Sequence, residues 1–166
     1  MRSDSQAGRS YAPIGETPVR QVSGRRFSTN MISTVTNRGK LRFMLYRETL
    51  TAPVLIRFLS RLIRDAQGRK VFLILDNLRV HHSKKVSAWV GDRKEQIELF
   101  FLPAYAPELN PDEYLNCDLK HQVRTGLPAR NQDELERRVR SVMRRLQLRP
   151  QRIRSYFRHP RIAYAA

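Results

Sequence analysis

Two short apolar runs constrain the fold of this chain more than any other feature. Residues 71–75 read VFLIL and residues 97–102 read IELFFL, and polar or turn-forming residues flank each run. Apolar runs of this length are typical of strands in a parallel sheet, because helices cover such strands on both faces. The two runs therefore predict buried strands of an α/β fold.

The segments around these strands predict the other elements. Residues 27–46 contain two β-prone segments on either side of the turn sequence NRG, a pattern that predicts an antiparallel hairpin. Residues 51–68 repeat apolar side chains with the period of a helix, and Gly68 ends the pattern. Ser83 is expected to cap a further short helix. The order hairpin, helix, strand, helix, strand, helix predicts an α/β domain with a mixed sheet flanked by helices.

The stretch PELNPDEYLNCDLK predicts where the helix after the second apolar run begins. Asn110 is a favourable N-cap residue, and Pro111 takes the first helical position, where its missing N–H costs nothing. Glu113 lies three residues after the cap and can close a capping box with it. The helix is expected to extend from Pro111 to about Arg124.

The C-terminal part predicts a helix that is apolar on one side and rich in arginine on the rest. Asn131 and Glu134 repeat the capping-box spacing. Apolar residues then follow at helical intervals: Leu135, Val139, Val142 and Leu146. Residues 124–166 contain 12 arginines and three acidic residues, a net charge of +9. The chain is therefore divided into three segments, a polar N-terminal arm (1–26), an α/β core (27–126) and a basic helical extension (127–166).

The net charge indicates which kinds of molecule this chain is expected to bind. The 166 residues carry 32 Lys and Arg against 15 Asp and Glu, a formal net charge of +17, and arginine accounts for 26 of the basic residues. This charge favours polyanions, of which nucleic acid is the usual one, and the planar guanidinium suits phosphate. No apolar run is long enough to span a membrane. The single cysteine, Cys117, excludes an internal disulfide, so a reducing cytoplasm is the expected location.

Two acidic residues stand where α/β proteins often place catalytic groups. Asp76 directly follows the first apolar run, and ligands of open α/β sheets collect at the carboxyl ends of strands. Glu113 begins the helix that follows the next strand. Carboxylates that converge repel one another unless a divalent cation such as Mg²⁺ lies between them, and two such ions can cleave a phosphodiester. The residues alone leave open the alternatives that Asp76 forms only a turn and Glu113 only a helix cap.

Several segments resemble the catalytic domain of bacterial insertion-sequence transposases of the mariner superfamily. The resemblance is carried mainly by LILDNLRVHHSKKVSAWV and IELFFLPAYAPELNPDEYLNCDLK, and GRSYAPIGETP and SYFRHPRIAYAA extend it over essentially the whole chain. It implies a ribonuclease-H-like (retroviral-integrase-like) fold and an Asp, Asp, Asp/Glu triad that holds two Mg²⁺ (or Mn²⁺) ions. It also implies that the protein cuts and joins the ends of a DNA element.

The resemblance assigns the metal ligands and leaves the triad incomplete. The second acid corresponds to Asp76 and the third to Glu113, with 36 residues between them, although Asp112 is adjacent. The first catalytic Asp of the family lies on a first strand, which is expected here ahead of Met1. Asp4, in a polar arm, is not expected to replace it. The sequence thus predicts a core without its first strand, as in a decayed fragment or the second frame of a frameshifted element, and leaves the enzymatic activity of this chain open.

DNA is the partner that the resemblance implies, and basic residues on the two C-terminal helices are the expected contacts. They are Lys120, Arg124, Arg137, Arg138, Arg144 and Arg145. A solvated surface, or contact with a second subunit, is the alternative for these side chains. We expect a homo-oligomer, or a protein completed by the product of an upstream reading frame, associated with the nucleoid in the cytoplasm.

Three further residues are expected to be peripheral to the chemistry. His81 and His82 are expected to be surface groups or groups that lie behind the ligands, and Cys117 is expected to pack in the fold because Mg²⁺ sites avoid thiols. The expected function is metal-dependent DNA cleavage and strand transfer at transposon ends. The alternatives are a non-catalytic, basic DNA-binding remnant of a transposase and a ribonuclease-H-like nuclease that acts on RNA–DNA hybrids or junctions.

Overall fold

The computed structural model describes residues 13–15, 27–104, 106–124 and 129–165. In chain order its helices and strands are β1 (Asn30–Val35), β2 (Leu41–Tyr46), α1 (Ala52–Asp65), β3 (Val71–Leu75), α2 (Lys84–Gly91), β4 (Ile97–Phe101), α3 (Pro111–Arg124), α4 (Gln132–Gln147) and α5 (Pro150–Ser155). Short 3₁₀ turns cover Arg79–His82, Pro107–Leu109, Tyr156–Arg158 and Pro160–Ala165. The order of elements matches the prediction, and α3 has the predicted bounds.

These elements form two compact units. The first contains the described residues up to Arg47 together with Tyr114–Tyr156, and the second contains Glu48–Glu113 together with the described residues from Phe157. The strands of the described ranges form two separate two-stranded sheets, one antiparallel and one parallel. Both kinds of strand pairing expected of a mixed sheet are therefore present. Within the described ranges, no helix is long and apolar enough to cross a membrane.

In the first unit, β1 and β2 form the predicted antiparallel hairpin. The register begins at the pair Asn30 and Tyr46. Gly39 in the connecting turn has a φ of 86°, a left-handed conformation that glycine adopts without strain. A Cβ atom at this position would lie 2.6 Å from the carbonyl oxygen of Pro150, so the close approach of α5 also requires glycine.

The helix α4 supplies much of the core of the first unit. The four predicted apolar residues are buried together with one neighbour: Leu135, Val139, Val142, Leu146 and Met143. α4 packs against β2 and α5. Arg47 at the end of the hairpin donates to Asp133 at 2.5 Å and to Glu136 at 2.7 Å. These ion pairs tie the hairpin to the first turns of α4.

In the second unit, α1 and the parallel pair β3–β4 provide the framework. Five apolar residues of α1 are buried: Val54, Leu55, Phe58, Leu59 and Leu62. The parallel register extends from the pair Val71 and Ile97 to the pair Leu75 and Phe101. Ser83 is the N-cap residue of α2, as predicted, but its hydroxyl accepts no hydrogen bond from that helix.

The prediction that β3 and β4 are buried strands, with β3 covered on both faces, is wrong. Leu73 and Ile97 are buried, but Phe72, Ile74 and Phe100 are 64%, 44% and 45% exposed. Because successive side chains of a strand point to opposite faces, these three residues share one face of the pair, and the rings of Phe72 and Phe100 lie 6.3 Å apart. An apolar run shows that its residues are hydrophobic, but it does not show whether other segments of the chain cover both faces of the strand.

Candidate active site

Asp76 lies at the carboxyl end of the parallel pair, immediately after β3. The ladder continues to this edge, where the N–H of Leu102 donates to the carbonyl oxygen of Leu75 at 2.8 Å. The side-chain amide of Asn77 donates to the carbonyl oxygen of Leu102 at 2.5 Å. Asn77 thus joins the ends of β3 and β4 and fixes the backbone that carries Asp76.

The carboxylate of Asp76 is held through one of its two oxygens. Oδ1 accepts from the backbone N–H of Leu78 at 3.3 Å and lies 3.0 Å from Nδ1 of His81. No side chain or backbone group in the described ranges donates to Oδ2, and the side chain of Asp76 is 49% exposed. Asp76 therefore takes part in a turn, which was the alternative to a ligand role, and its second carboxylate oxygen has no described donor.

The two histidines after Asp76 differ in burial. His81 is 5% exposed, so of its two expected positions the surface is wrong and a position behind the ligands stays a prediction. Its Nδ1 also lies 2.9 Å from the carbonyl oxygen of Asp76. His82 is exposed, with Nε2 2.9 Å from Oδ1 of Asn77 and its ring centroid 4.2 Å from that of Phe101. The 3₁₀ turn Arg79–His82 brings both imidazoles back toward the end of β3.

Glu113 lies in the first turn of α3 and is exposed. Oδ1 of Asn110 accepts from the N–H of Asp112 at 3.0 Å, as expected of an N-cap residue. The N–H of Asn110 donates to the carbonyl oxygen of Pro107 at 3.0 Å, so the donor that a capping box would offer to Glu113 is already used. No described residue donates to the carboxylate of Glu113.

The start of α4 has the same residue spacing and uses its glutamate differently. Oδ1 of Asn131 accepts from the N–H of Glu134 at 2.8 Å, and the carboxylate of Glu134 accepts from the N–H of Arg130 at 2.7 Å. Glu134 also forms an ion pair with Arg138. The hydrogen bond from Arg130, followed by that from Arg138, lowers the pKa of Glu134. Of the two glutamates at this spacing, one is engaged at its helix end and Glu113 is not.

Two other acidic residues near Glu113 in the sequence contact basic side chains, one through short hydrogen bonds and one at a longer distance. Asp118 accepts two hydrogen bonds of 2.7 Å from Arg152 and one of 2.5 Å from the hydroxyl of Tyr156. The bonds from Arg152 are the main cause of a lowered pKa at Asp118. Glu108 lies 3.8 Å from the guanidinium of Arg161. These contacts give Asp118 a structural role and leave Glu108 beside a basic side chain.

The donor chemistry of Asp76 and Glu113 fits a hard divalent cation, because carboxylate oxygens are the ligands that Mg²⁺ and Mn²⁺ prefer. Both residues belong to the second unit. No group of three His, Cys, Asp or Glu side chains in the described ranges is arranged to hold a metal ion. Cys117 is exposed, so the prediction that it packs in the fold is wrong.

The basic residues predicted to contact DNA fall into two groups. Lys120, Arg137 and Arg144 are exposed, Arg124 is partly exposed, and no described acceptor contacts these four side chains. The others already have partners, since Arg138 pairs with Glu134 and Arg145 donates to the hydroxyl of Ser141 at 3.0 Å. Arg140, which the prediction omitted, is also exposed on α4.

Comparison with known proteins places these features in a family. The model of the family described as DDE superfamily endonuclease matches residues 1–136. Two similar solved structures are the Mos1 transposase paired-end complex with the left transposon end and the Mos1 mariner paired-end complex with Mn. The first is 18% identical, with a TM-score of 0.53 over 90% of this chain and 50% of that chain. The second is also 18% identical, with a TM-score of 0.55 over 91% of this chain and 52% of that chain.

The likeness to these structures concerns the fold. This chain shares the fold of the matched parts of these structures, in agreement with the ribonuclease-H-like fold that the family resemblance implies. The chain spans about half the length of the solved chains that it matches. No functionally curated protein sequence matches it significantly.

Proposed function

This chain belongs to the DDE superfamily endonuclease family, and we propose that it forms part of the catalytic domain of a transposase that cuts and joins DNA at transposon ends. Asp76 and Glu113 are the proposed metal ligands. The observation that carries the proposal is the position of Asp76 at the carboxyl end of the parallel pair β3–β4, with one carboxylate oxygen that has no described donor. Glu113 in the first turn of α3 also has no described donor, whereas Asp118, Glu134 and Glu136 are bonded to arginines. Carboxylate oxygens that remain available for a cation, in a chain of net charge +17, indicate a cation-dependent site for polyanions.

A divalent cation is the proposed cofactor, with two ions in a complete site. Oδ2 of Asp76 and the carboxylate of Glu113 would hold it. One of the similar transposase structures contains Mn, which supports a divalent ion, and Mg²⁺ is our proposal for the ion used by this protein. When bound, such ions lower the pKa of a water molecule and stabilise the charge that develops on a phosphodiester.

The chain's own residues would orient these carboxylates. The bond from Asn77 to Leu102 fixes the strand end, and the donors on Oδ1 fix the carboxylate plane of Asp76. The N-cap bond from Asn110 fixes the start of α3 and with it the position of Glu113. A ligand carried on a strand end or a helix start is held more precisely than one carried on a loop.

The third carboxylate of the triad is proposed to come from a strand outside the described residues, as the family resemblance implies. The described parallel sheet has only two strands, and this supports the proposal because a further strand would pair along one of its edges. Parallel strands are normally part of larger sheets with both faces covered, and an isolated two-stranded sheet is only marginally stable. A longer protein, or a second product that supplies the strand, would complete both the sheet and the site.

DNA is the proposed substrate and partner, held mainly through its phosphates. Lys120, Arg124, Arg137 and Arg144 are the proposed contacts, because their charges are not neutralised by a described acid. Arg138 and Arg145 would contribute less, since each already donates to another side chain. Phosphate contacts position DNA without reading its sequence, so the ends would be recognised by other parts of a complete protein. We propose that the active form is an oligomer located with the nucleoid.

Nicking of supercoiled plasmid DNA tests the proposal. The 166-residue chain is compared with a chain extended at its N terminus by the upstream strand, each with Mg²⁺, with Mn²⁺ and with EDTA. We expect that only the extended chain nicks DNA, that this nicking requires a divalent cation, and that the Asp76→Asn variant of the extended chain does not nick. Nicking that survives Asp76→Asn would overturn the assignment of the ligands.

A second candidate function is favoured by the lack of a three-ligand cluster among the described residues. The chain would then be a non-catalytic DNA-binding remnant that modulates an intact transposase in mixed oligomers. This second function predicts salt-sensitive DNA binding that is equally strong in the unaltered chain, Asp76→Asn and Glu113→Gln. It also predicts that the extended chain does not nick DNA. A ribonuclease-H-like nuclease would instead cleave an RNA–DNA hybrid in preference to plasmid DNA.

A further inference from the structure

We infer that His81 is a positioning residue for Asp76, which holds Oδ1 and the carbonyl oxygen of that residue so that Oδ2 is the atom presented to a divalent cation. The inference rests on the proposed function, because it assigns a role to a residue that contacts the proposed ligand. It goes further by naming the ligating atom and the group that selects it. Three observations carry it: the contacts of Nδ1, the burial of the ring, and the second donor on Oδ1.

The contacts fix which ring nitrogen of His81 carries a proton. Nδ1 lies 2.9 Å from the carbonyl oxygen of Asp76 and 3.0 Å from its Oδ1. A carbonyl oxygen only accepts hydrogen bonds, so Nδ1 must be the donor. The N–H thus donates to the carbonyl oxygen, and Oδ1 of the same residue lies 3.0 Å from the same nitrogen. His81 therefore fixes the backbone of Asp76 and the rotation of its side chain at once.

The burial of His81 makes this contact rigid. The ring is 5% exposed, and its backbone N–H donates to the carbonyl oxygen of Leu78 at 2.9 Å within the 3₁₀ turn. A buried ring in a hydrogen-bonded turn has few alternative rotamers, so the donor stays in one place. His82 differs, because it is exposed and contacts Asn77 instead.

The second donor completes the selection of one oxygen. Oδ1 accepts from the N–H of Leu78 at 3.3 Å and lies 3.0 Å from Nδ1 of His81, whereas no described group donates to Oδ2. A carboxylate held in this way would offer a cation a single oxygen. Mg²⁺ usually takes one or two carboxylates in this manner and keeps several waters, which leaves room for phosphate. Partners behind a metal ligand typically change metal affinity or activity by about 10–100-fold when removed.

Two substitutions of His81 distinguish a role in positioning Asp76 from a role in packing alone. In His81→Asn, the amide nitrogen takes the place of Nδ1 and keeps a donor near Asp76. In His81→Gln, the amide nitrogen takes the place of Nε2 and the donor is lost. His82→Gln is the matched control, because its amide can replace Nε2 beside Asn77. The melting temperature of each variant is measured first, so that a loss of folding is recognised.

Two measurements on the full chain test the inference. Nitrogen-15 NMR of the imidazoles is expected to show His81 with a proton on Nδ1, whether or not a cation is present. Titration calorimetry with Mn²⁺ is expected to show an affinity about 10–100-fold lower for His81→Gln, and an affinity near that of the unaltered chain for His81→Asn and His82→Gln. An unprotonated Nδ1, or equal affinities of His81→Gln and His81→Asn, would overturn the inference.

The same titrations distinguish failure of this inference from failure of the proposed function. If Asp76→Asn binds Mn²⁺ as tightly as the unaltered chain, Asp76 is not a ligand and both proposals fall. If Asp76→Asn loses binding while His81→Gln retains it, only the positioning role of His81 falls. If His81→Gln is unfolded, Leu78→Pro serves as a second variant, because proline lacks the N–H that Leu78 donates to Oδ1. Leu78 has a φ of −62°, a value that proline adopts. Undiminished Mn²⁺ affinity in Leu78→Pro would then contradict the selection of Oδ2.

Discussion

Arg152 on α5 donates two hydrogen bonds of 2.7 Å each to the two carboxylate oxygens of Asp118 on α3. The hydroxyl of Tyr156 donates a third, so both oxygens of Asp118 are used within the first unit. Asp118 therefore joins α3 to the C-terminal helices and is not a candidate ligand. Asp76 and Glu113 differ from Asp118 in that each keeps at least one carboxylate oxygen without a described donor, and Asp76 also lies at the carboxyl end of the parallel pair β3–β4.

The pair of Asp118 and Arg152 makes stability depend on pH. The pKa of Asp118 is lowered, chiefly by its hydrogen bonds from Arg152, so the stabilisation is present above the pKa of an unfolded aspartate, about 3.9, and is lost as pH falls through the folded value. Asp118→Asn should lower the free energy of unfolding by about 1–3 kcal/mol at pH 7 and by less at pH 3. Urea denaturation at several pH values measures this difference. Asp92→Asn, at the exposed end of α2, is the control, and a difference that does not change between pH 7 and pH 3 would refute the prediction.

Alanine substitutions at two glycines with positive φ distinguish the cost of backbone strain from the cost of a steric clash. Gly39 and Gly68 have φ values of 86° and 81°, but only at Gly39 would a Cβ meet other atoms, at 2.6 Å from the carbonyl oxygen of Pro150. Gly68→Ala should cost about 1–2 kcal/mol from the left-handed conformation alone, and Gly39→Ala should cost more. Thermal unfolding compares the two variants. Equal losses of stability would show that α5 does not approach the hairpin turn as described.

The two glutamates at capping positions should respond differently to substitution. Glu134→Gln weakens the bonds to Arg130 and Arg138, so we expect a lower melting temperature. Glu113→Gln breaks no contact with a described residue, so we expect the free energy of unfolding to change by less than about 0.5 kcal/mol. Thermal and chemical unfolding of both variants measure these effects. A strongly destabilised Glu113→Gln variant would mean that Glu113 is a structural cap.

The arginines of α4 should differ in their contribution to DNA binding. Removing one side chain that binds a phosphate of duplex DNA reduces the slope of log affinity against log salt by about 0.9. Replacing Arg137 and Arg144 together by glutamine should therefore reduce the slope by nearly two, while Arg138→Gln should leave it almost unchanged because Arg138 pairs with Glu134. Fluorescence anisotropy with a mixed-sequence duplex at several salt concentrations measures the slopes. Equal slopes for the double variant and Arg138→Gln would contradict the assignment.

Features set by neighbouring residues were predictable from the sequence. The start of α3 at Pro111 follows from Asn110, whose side chain caps the helix, and both act within a few residues of the chain. The apolar face of α4 follows from the helical period alone. The position of Asp76 after β3 follows from the abrupt end of an apolar run.

Features set by the rest of the fold were not predictable in this way. The exposed face with Phe72 and Ile74 depends on which segments lie over the sheet, and an apolar run carries no record of that. The burial of His81 depends on how the turn after β3 folds back, and a single histidine has no periodic pattern. The open carboxylate of Glu113 depends on Asn110 donating to Pro107, which the capping-box spacing does not reveal.

The central claim is that Asp76 and Glu113 hold one divalent cation, and paramagnetic broadening by Mn²⁺ tests it most directly. In an amide NMR spectrum of the full chain, we expect substoichiometric Mn²⁺ to broaden the signals around Asp76 and those around Glu113 together, and to broaden neither group in Asp76→Asn. Mg²⁺ in excess should reverse the effect. Broadening that is confined to other acidic residues, or that persists around Glu113 when Asp76 is replaced, would contradict the claim.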